Sequence, residues 1–192
     1  VVTDDKEVIS AVEKLRFHGI DRNAFNRFAK GGSQQYDVVL PGFKYNMMDM
    51  QAALGIHQLP ELDGFIEKRT RLAEHYMEAL KGWPEFTLPK APSYAHKHAW
   101  HLFTPRLGKN KAGLDRDGCI NAMKGENIGL GLHYQASHVF SWYKEHFGWK
   151  SADFPRALAA GETIMSLPLF PTMTDDEQAR VIKAMDKVLR TI

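Results

Sequence analysis

The sequence has one cysteine, no long apolar run and almost no excess of either charge. Cys119 is the only cysteine among 192 residues, so an intrachain disulfide is excluded. No apolar run approaches the length that crosses a bilayer, so no membrane partner is predicted. The formal net charge of +2 comes from 25 basic and 23 acidic residues spread along the chain. No basic stripe therefore predicts nucleic-acid binding.

The composition is that of a globular protein. With 192 residues and 44% hydrophobic content, the chain suits one domain, or one domain and a piece of another. No signal peptide is visible, which favours a cytoplasmic setting. Cys119 falls beside Ile120 in a helical pattern, so a buried thiol is expected there rather than a nucleophile.

The segment 42–55 combines a turn, two polar side chains and a helix start. Asn46 is predicted to cap a helix that begins at Met47, with Asp49 in its first turn. A helix N-terminus with Lys44 and the Asn46 amide beside it suits a phosphate group. An ordinary capped helix with a solvated lysine explains the same residues, and on spacing alone it is the commoner case.

Further elements follow from periodicity and from turn residues. Helices are predicted at 5–16, 60–82 and 115–124, and a last helix follows the Thr174 and Glu177 capping box. Strands are predicted at 36–40, 100–107 and 128–134. The loop between Gly19 and Gly42 carries cations that either approach a nucleotide diphosphate or are simply solvated; these are Arg22, Arg27 and Lys30.

Five motifs are spaced along the whole chain. They are VVTDD at 1–5 with LRFHGI at 15–20, GFKYN at 42–46 with its helix, WHLF at 100–103, GLHY at 131–134, and SLPLFP at 166–171. In this order they resemble motifs of the DegT/DnrJ-type sugar-nucleotide aminotransferases, which are pyridoxal-phosphate enzymes. Within that family, residues 44–46 and 131–138 look similar to the UDP-4-amino-4-deoxy-L-arabinose aminotransferases.

The resemblance implies an α/β fold, namely the C-terminal part of a fold type I, aspartate-aminotransferase-like transferase. It assigns 1–58 to the end of the large domain, 59–82 to a connecting helix and 83–192 to a small α/β domain. The lysine that forms the Schiff base with pyridoxal 5'-phosphate would lie upstream of residue 1, as would the aspartate that pairs with the pyridine nitrogen. The chain alone is therefore expected not to catalyse transamination.

The resemblance also implies binding roles for five residues. Lys44 and Asn46 would contact the cofactor phosphate of the partner subunit, in a homodimer with shared active sites. His133, Tyr134 and His138 would lie at the substrate pocket. From the residues alone, either imidazole can bind a ligand or pack in a core and hydrogen-bond to backbone. No residue of the chain is assigned as catalytic.

A second group of histidines invites a metal hypothesis, which the spacing disfavours. His96 and His98 would face one side of an extended segment and His101 the other. No cysteine or acidic residue stands nearby to complete four zinc ligands. We therefore predict no metal site and expect His101 to pack in a strand.

The implied function is conversion of a nucleotide-linked 4-keto sugar into a 4-amino sugar, with glutamate as the amine donor. Such a reaction belongs to polysaccharide or lipopolysaccharide biosynthesis. Because the Schiff-base lysine is not in this chain, a second hypothesis is a non-catalytic module that binds a nucleotide sugar or mediates dimerisation.

Overall fold

The computed structural model describes residues 1–20 and 37–190. The chain divides into two compact units, Val1–Pro60 and Glu61–Ile192. Residues 61–82 of the predicted connecting helix belong to the second unit, and the domain roles assigned to 1–58, 59–82 and 83–192 stay predictions. The three loop cations at 22, 27 and 30 lie outside the described residues, as does the first residue of the strand predicted at 36–40.

The described residues of the first unit form two helices. Helix α1 spans Lys6–Leu15, and the Asp5 carboxylate caps it by accepting hydrogen bonds from the amides of Glu7 and Val8. The helix predicted at 5–16 is thereby confirmed. No residue of α1 is buried within the described part of the chain.

Helix α2 spans Asp49–Gln58, so the predicted start at Met47 is wrong. The Met48 amide donates to Gln51 Oε1 at 3.0 Å, and this side chain closes the first turn from inside the helix. Asn46 therefore does not cap the helix. Its side chain lies outside the first turn and is available for another role.

In the second unit, three helices surround one apolar core. Helix α3 spans Leu62–Ala79, α4 spans Arg116–Gly125 and α7 spans Asp175–Arg190. Helix α7 packs against both α3 and α4. The largest fully buried apolar side chains come from these helices and from extended segments between the helices of the unit; they include Leu72, Tyr76, Phe103, Met123, Met165, Met185 and Leu189.

Two of these helices begin with side-chain caps, of which the capping box of Thr174 and Glu177 was predicted. Asp115 accepts from the Gly118 amide at 2.7 Å, and the Thr174 hydroxyl and the Glu177 carboxylate bond to each other's backbone amides. Both caps are local in sequence, which explains why the pattern alone located the capping box at Thr174. Within the described residues, no helix combines the length and the apolar content needed to cross a membrane.

The strands are shorter than predicted. Strand β1, Phe86–Thr87, pairs antiparallel with β2, Arg106–Leu107. Elsewhere in the unit, isolated antiparallel bridges pair Phe103 with Leu167 and Gly131 with Ser166. Full strands at 100–107 and 128–134 are therefore wrong, in the first case because Pro105 has no amide to donate. The unit is nevertheless α/β, with helices packed on extended segments.

Two helices of the second unit were not predicted. Helix α5 spans Ser141–Phe147 and ends at Gly148, whose φ is +67°. Helix α6 spans Pro155–Thr163 and has proline at its first position. Both end signals are visible in the sequence, but each helix is too short to show a clear apolar period.

Gln178 is the polar residue at the centre of this core. Its side chain has no solvent exposure, its Nε2 donates to the Leu72 carbonyl at 2.7 Å, and its Oε1 accepts from His75 Nδ1 at 2.7 Å. Both partners belong to α3, so the buried amide of this α7 side chain makes its hydrogen bonds to the neighbouring helix.

Gln178→Ala is expected to lower the free energy of unfolding by about 2–4 kcal/mol, because it removes two buried hydrogen bonds and leaves a cavity. Urea denaturation of the chain measures the change. Gln135→Ala makes the same substitution at an exposed position and should cost less than about 0.5 kcal/mol. Equal effects of the two substitutions would contradict the role given to Gln178.

Candidate functional site

Lys44 and Asn46 lie on an extended segment held by the end of α1. Lys44 forms an antiparallel bridge with Phe17, and the Tyr45 amide donates to the Arg16 carbonyl at 2.9 Å. The rings of Phe43 and Tyr45 stack with centroids 5.0 Å apart, so these alternate residues share one face. Lys44 and Asn46, the other alternate pair, therefore point to the opposite face.

Two glycines allow this segment to approach the chain after α1. A Cβ at Gly42 would lie 2.1 Å from the Gly19 nitrogen, and a Cβ at Gly19 would lie 1.8 Å from the Leu40 carbonyl oxygen. Gly19 also has a φ of +71°, which favours glycine. Gly42 was predicted as a turn residue, and the close approach gives a second physical reason for glycine there.

The polar side chains of this segment fit an anionic group. The Lys44 ammonium lies 4.0 Å from the centroid of the Phe17 ring and is otherwise exposed to solvent. Asn46 Oδ1 is buried and has no hydrogen-bond partner among the described residues. Rotation of the amide by about 180° exchanges Oδ1 and Nδ2, so Asn46 can turn a donor to this position. A cation and an unpaired amide on one face suit a phosphate group.

His133 is held on two sides. Its Nδ1 is hydrogen-bonded to Ser166 Oγ at 2.8 Å, and its ring lies across Gly131, where a Cβ would come within 2.6 Å of His133 Cε1. The ring is half-buried, and its Nε2 makes no hydrogen bond within the described ranges. This nitrogen is therefore available to a ligand.

Tyr134 and His138 differ sharply in exposure. Tyr134 is 72% exposed, and its ring meets the edge of the His133 ring with centroids 4.9 Å apart. His138 is only 4% exposed, packs on Phe154 and donates from Nε2 to the Ser151 carbonyl at 3.2 Å. His138 thus matches the alternative in which an imidazole packs in a core and bonds to backbone.

The predicted site residues fall into two groups. Lys44 and Asn46 belong to the first unit, whereas His133, Tyr134 and His138 belong to the second. Within the second unit, the rings of His133 and Tyr134 are in contact. His138 is buried instead against Ser151 and Phe154. Sequence reasoning assigned no role to Ser166, although it opens the SLPLFP motif.

The described residues contain no group of three or more histidine, cysteine or acidic side chains that could hold a metal ion. His98 Nδ1 accepts the Trp100 amide at 2.8 Å, and His96 bonds to the Tyr94 carbonyl. His101 is exposed, so the expectation that it packs in a strand is wrong.

An aromatic cluster on and after α5 was also missed. The Trp142 and His146 rings stack with centroids 4.6 Å apart, and Phe147 stacks on Trp149 at 4.6 Å. Trp149 in turn meets the edge of Phe154, the ring that packs on His138. The cluster therefore contributes to the packing of the loop after His133.

Cys119 is fully buried in α4, as predicted. Burial raises the pKa of its thiol to about 11, because desolvation disfavours the thiolate. At neutral pH the group is protonated and has no nucleophilic role.

Comparison with known proteins places the chain in a family. Residues 1–186 match the DegT/DnrJ/EryC1/StrS aminotransferase family, and the chain belongs to it. Among particular relatives, the chain is 39% identical over 194 residues to the spore coat polysaccharide biosynthesis protein SpsC of Bacillus subtilis. That alignment covers 99% of this chain and 49% of SpsC, so the chain spans about half the length of this relative.

Solved structures confirm the fold predicted from the sequence. Spr1654 from Streptococcus pneumoniae, in its PMP-form, superposes with a TM-score of 0.83 at 25% identity, over 97% of this chain and 46% of that one. Helicobacter pylori PseC, an aminotransferase involved in the biosynthesis of pseudoaminic acid, gives a TM-score of 0.84 at 20% identity, over 100% and 48%. The chain has the α/β fold of these aminotransferases and covers part of it.

Alkylation of Cys119 by iodoacetamide at about pH 8 is expected to be at least about 100-fold slower in the folded chain than in urea, because both burial and the raised pKa suppress the thiolate. Mass spectrometry of timed samples measures the rate. Comparable rates in the two conditions would show that the thiol is accessible and reactive.

Proposed function

We propose that this chain is part of a pyridoxal-phosphate-dependent sugar-nucleotide aminotransferase. The observation that carries the proposal is the family match over residues 1–186. The name of SpsC supports a place in polysaccharide biosynthesis, and we extend this to polysaccharides that include lipopolysaccharide. A cytoplasmic location is part of the same proposal, because nucleotide sugars are its substrates.

The cofactor assignment is supported by relatives and by the first unit. Spr1654 has been solved in both PLP- and PMP-forms, which are the two forms that transamination interconverts. When bound, pyridoxal phosphate supplies the electron sink for transfer of an amino group. In this proposal the Lys44 ammonium balances charge on the cofactor phosphate, and the unpaired Asn46 amide donates to one of its oxygens.

For the substrate we propose a nucleotide-linked 4-keto sugar, with glutamate as the amine donor. UDP-linked 4-keto-arabinose is the first candidate, since 44–46 and 131–138 resemble the enzymes that act on it. His133 and Tyr134 would contact this substrate, because both present polar atoms away from the core. His138 would stabilise the loop after His133 through its hydrogen bond to the Ser151 carbonyl, rather than contact the sugar.

We further propose a homodimer in which the segment 44–46 serves the partner's active site. Helix α2 supports this, since none of its residues is buried within the described part of the chain. Its large exposed apolar side chains are Met50, Leu54 and Ile56. A surface of this kind on a stable protein is usually covered by another chain or domain.

The longer protein that contains this chain is expected to convert a UDP-4-keto sugar and glutamate into the UDP-4-amino sugar and 2-oxoglutarate. Mass spectrometry of the product detects the amine, and a panel of UDP- and dTDP-linked 4-keto sugars identifies the substrate. Binding of the nucleotide sugar without amine transfer would favour the non-catalytic module instead.

Asn46→Ala and Lys44→Ala are each expected to weaken binding of pyridoxal phosphate by about tenfold, since each removes one donor to the phosphate. Visible absorbance during cofactor titration of the longer protein measures the dissociation constant. Lys183→Ala changes an exposed lysine of the second unit and serves as the matched control. Unchanged cofactor binding in both variants would remove the segment from the cofactor site.

A further inference from the structure

We propose that Ser166 is a positioning residue for His133 and fixes the neutral imidazole as the tautomer with its proton on Nε2. The substrate role of His133 rests on the proposed function. The placement of the proton does not, because it follows from contacts within the second unit alone.

The contact joins two groups that have little freedom to move. Ser166 is 4% exposed, and its Oγ lies 2.8 Å from His133 Nδ1. The backbone of Ser166 pairs with Gly131 in both directions, with N–O distances of 2.9 and 2.7 Å. Ser166 and Gly131 thus form one antiparallel bridge, and His133 follows Gly131 by two residues.

The absence of a side chain at Gly131 allows the His133 ring to lie against the backbone there. A Cβ at this position would lie 2.6 Å from His133 Cε1 and 2.9 Å from Nδ1, so the imidazole occupies the space that any larger residue would fill. The ring therefore rests on the Gly131 backbone with Nδ1 turned to the serine. In this orientation Nε2 is at the opposite side of the ring from Ser166.

The position of the imidazole proton follows from the hydrogen-bonding capacity of the Ser166 hydroxyl. Within the described residues, His133 Nδ1 is the one partner of the Ser166 hydroxyl. If Nδ1 carried the proton and donated to Oγ, the buried hydroxyl proton would have no acceptor, which is costly. If the hydroxyl donates to an unprotonated Nδ1, the buried hydroxyl proton is paired, and the imidazole proton lies on Nε2, which is not among the buried unpaired atoms of the described residues. The second arrangement is favoured and leaves the imidazole proton on Nε2.

The segment that carries Ser166 is itself fixed on its other side. The Leu167 amide donates to the Phe103 carbonyl at 3.0 Å, and the Met165 amide donates to the Pro105 carbonyl at 3.2 Å. The buried Arg116 guanidinium donates to the carbonyls of Gly161 and Ile164, at the point where α6 runs into this segment. Ser166 is therefore a fixed reference point for the imidazole.

A fixed proton on Nε2 makes His133 a hydrogen-bond donor without permanent charge. Such a donor selects an oxygen acceptor on the ligand, and a nucleotide sugar offers diphosphate, hydroxyl and keto oxygens. A ligand that presents only a donor at this point would be rejected, because two protons would face each other. Ser166 would thus contribute to specificity without touching the substrate.

The direct test is the tautomer of His133, read from ¹⁵N chemical shifts of the histidine-labelled chain at about pH 8.5, where histidine is neutral. The His133→Gln spectrum assigns the signals. We expect a protonated Nε2 and an unprotonated Nδ1 in the wild type, and a mixture of tautomers in Ser166→Ala. Ser166→Thr keeps the hydroxyl and should restore the wild-type pattern.

A kinetic cycle on the longer, cofactor-loaded protein tests whether Ser166 acts through His133. Ser166→Ala should raise KM for the nucleotide sugar by about three- to tenfold and leave kcat within about twofold. In a His133→Ala background the same substitution should have no further effect on KM. A purely structural role would instead lower kcat and raise KM in either background. Circular dichroism of each variant checks folding.

The outcomes separate this inference from the proposed function. A wild-type chain with the proton on Nδ1, or a Ser166→Ala variant with an unchanged tautomer ratio, would overturn the positioning role. Additive effects in the kinetic cycle would do the same. If the longer protein transfers no amino group while the tautomer results are as expected, the proposed function fails and the positioning role stands.

Discussion

The backbone pairing of residues 164–167 is the constraint on which the second unit depends. On one side this segment bonds to the chain around Phe103, and on the other Ser166 pairs with Gly131. It therefore joins the end of α6, the short β1–β2 pair and the loop that carries His133. These bonds are few, but most of the groups are buried, where an unpaired amide or carbonyl would be costly. The position of the candidate substrate residues is thus a result of main-chain geometry more than of side-chain packing.

In the first unit, the segment that carries Lys44 and Asn46 is positioned in a different way. Neither of its helices buries a residue within the described ranges, and its polar segment is placed by backbone bonds to the end of α1. Gly19 and Gly42 permit that approach because neither has a Cβ. In this unit an absent side chain, rather than a packed one, determines where Lys44 and Asn46 lie. The unpaired Asn46 amide is consistent with a segment whose last partner is a ligand.

The sequence predicted best what depends on neighbours a few residues apart. The caps at Asp5, Asp115 and Thr174 involve partners within three residues, and the helices they begin were all found. The start of α2 was misplaced because Gln51, rather than Asn46, bonds to the free amide of the first turn. The long strands failed because their pairing partners come from distant segments that match only at single residues. The same limit applies to the site: burial of His138 depends on Ser151 and Phe154, and the partner of His133 is 33 positions away.

The two hydrogen bonds of Gln178 have a consequence for how the helices of the second unit assemble. A slip of α7 by about one turn along α3 would bring Asp175 or Val181 to the position now held by the glutamine. The first would bury a carboxylate without a cation, and the second would leave the Leu72 carbonyl and the His75 ring without a shared partner. An apolar residue at this position would impose no hydrogen-bonding requirement on the alignment of the two helices. One neutral amide in an apolar interface therefore favours a single register of α7 against α3.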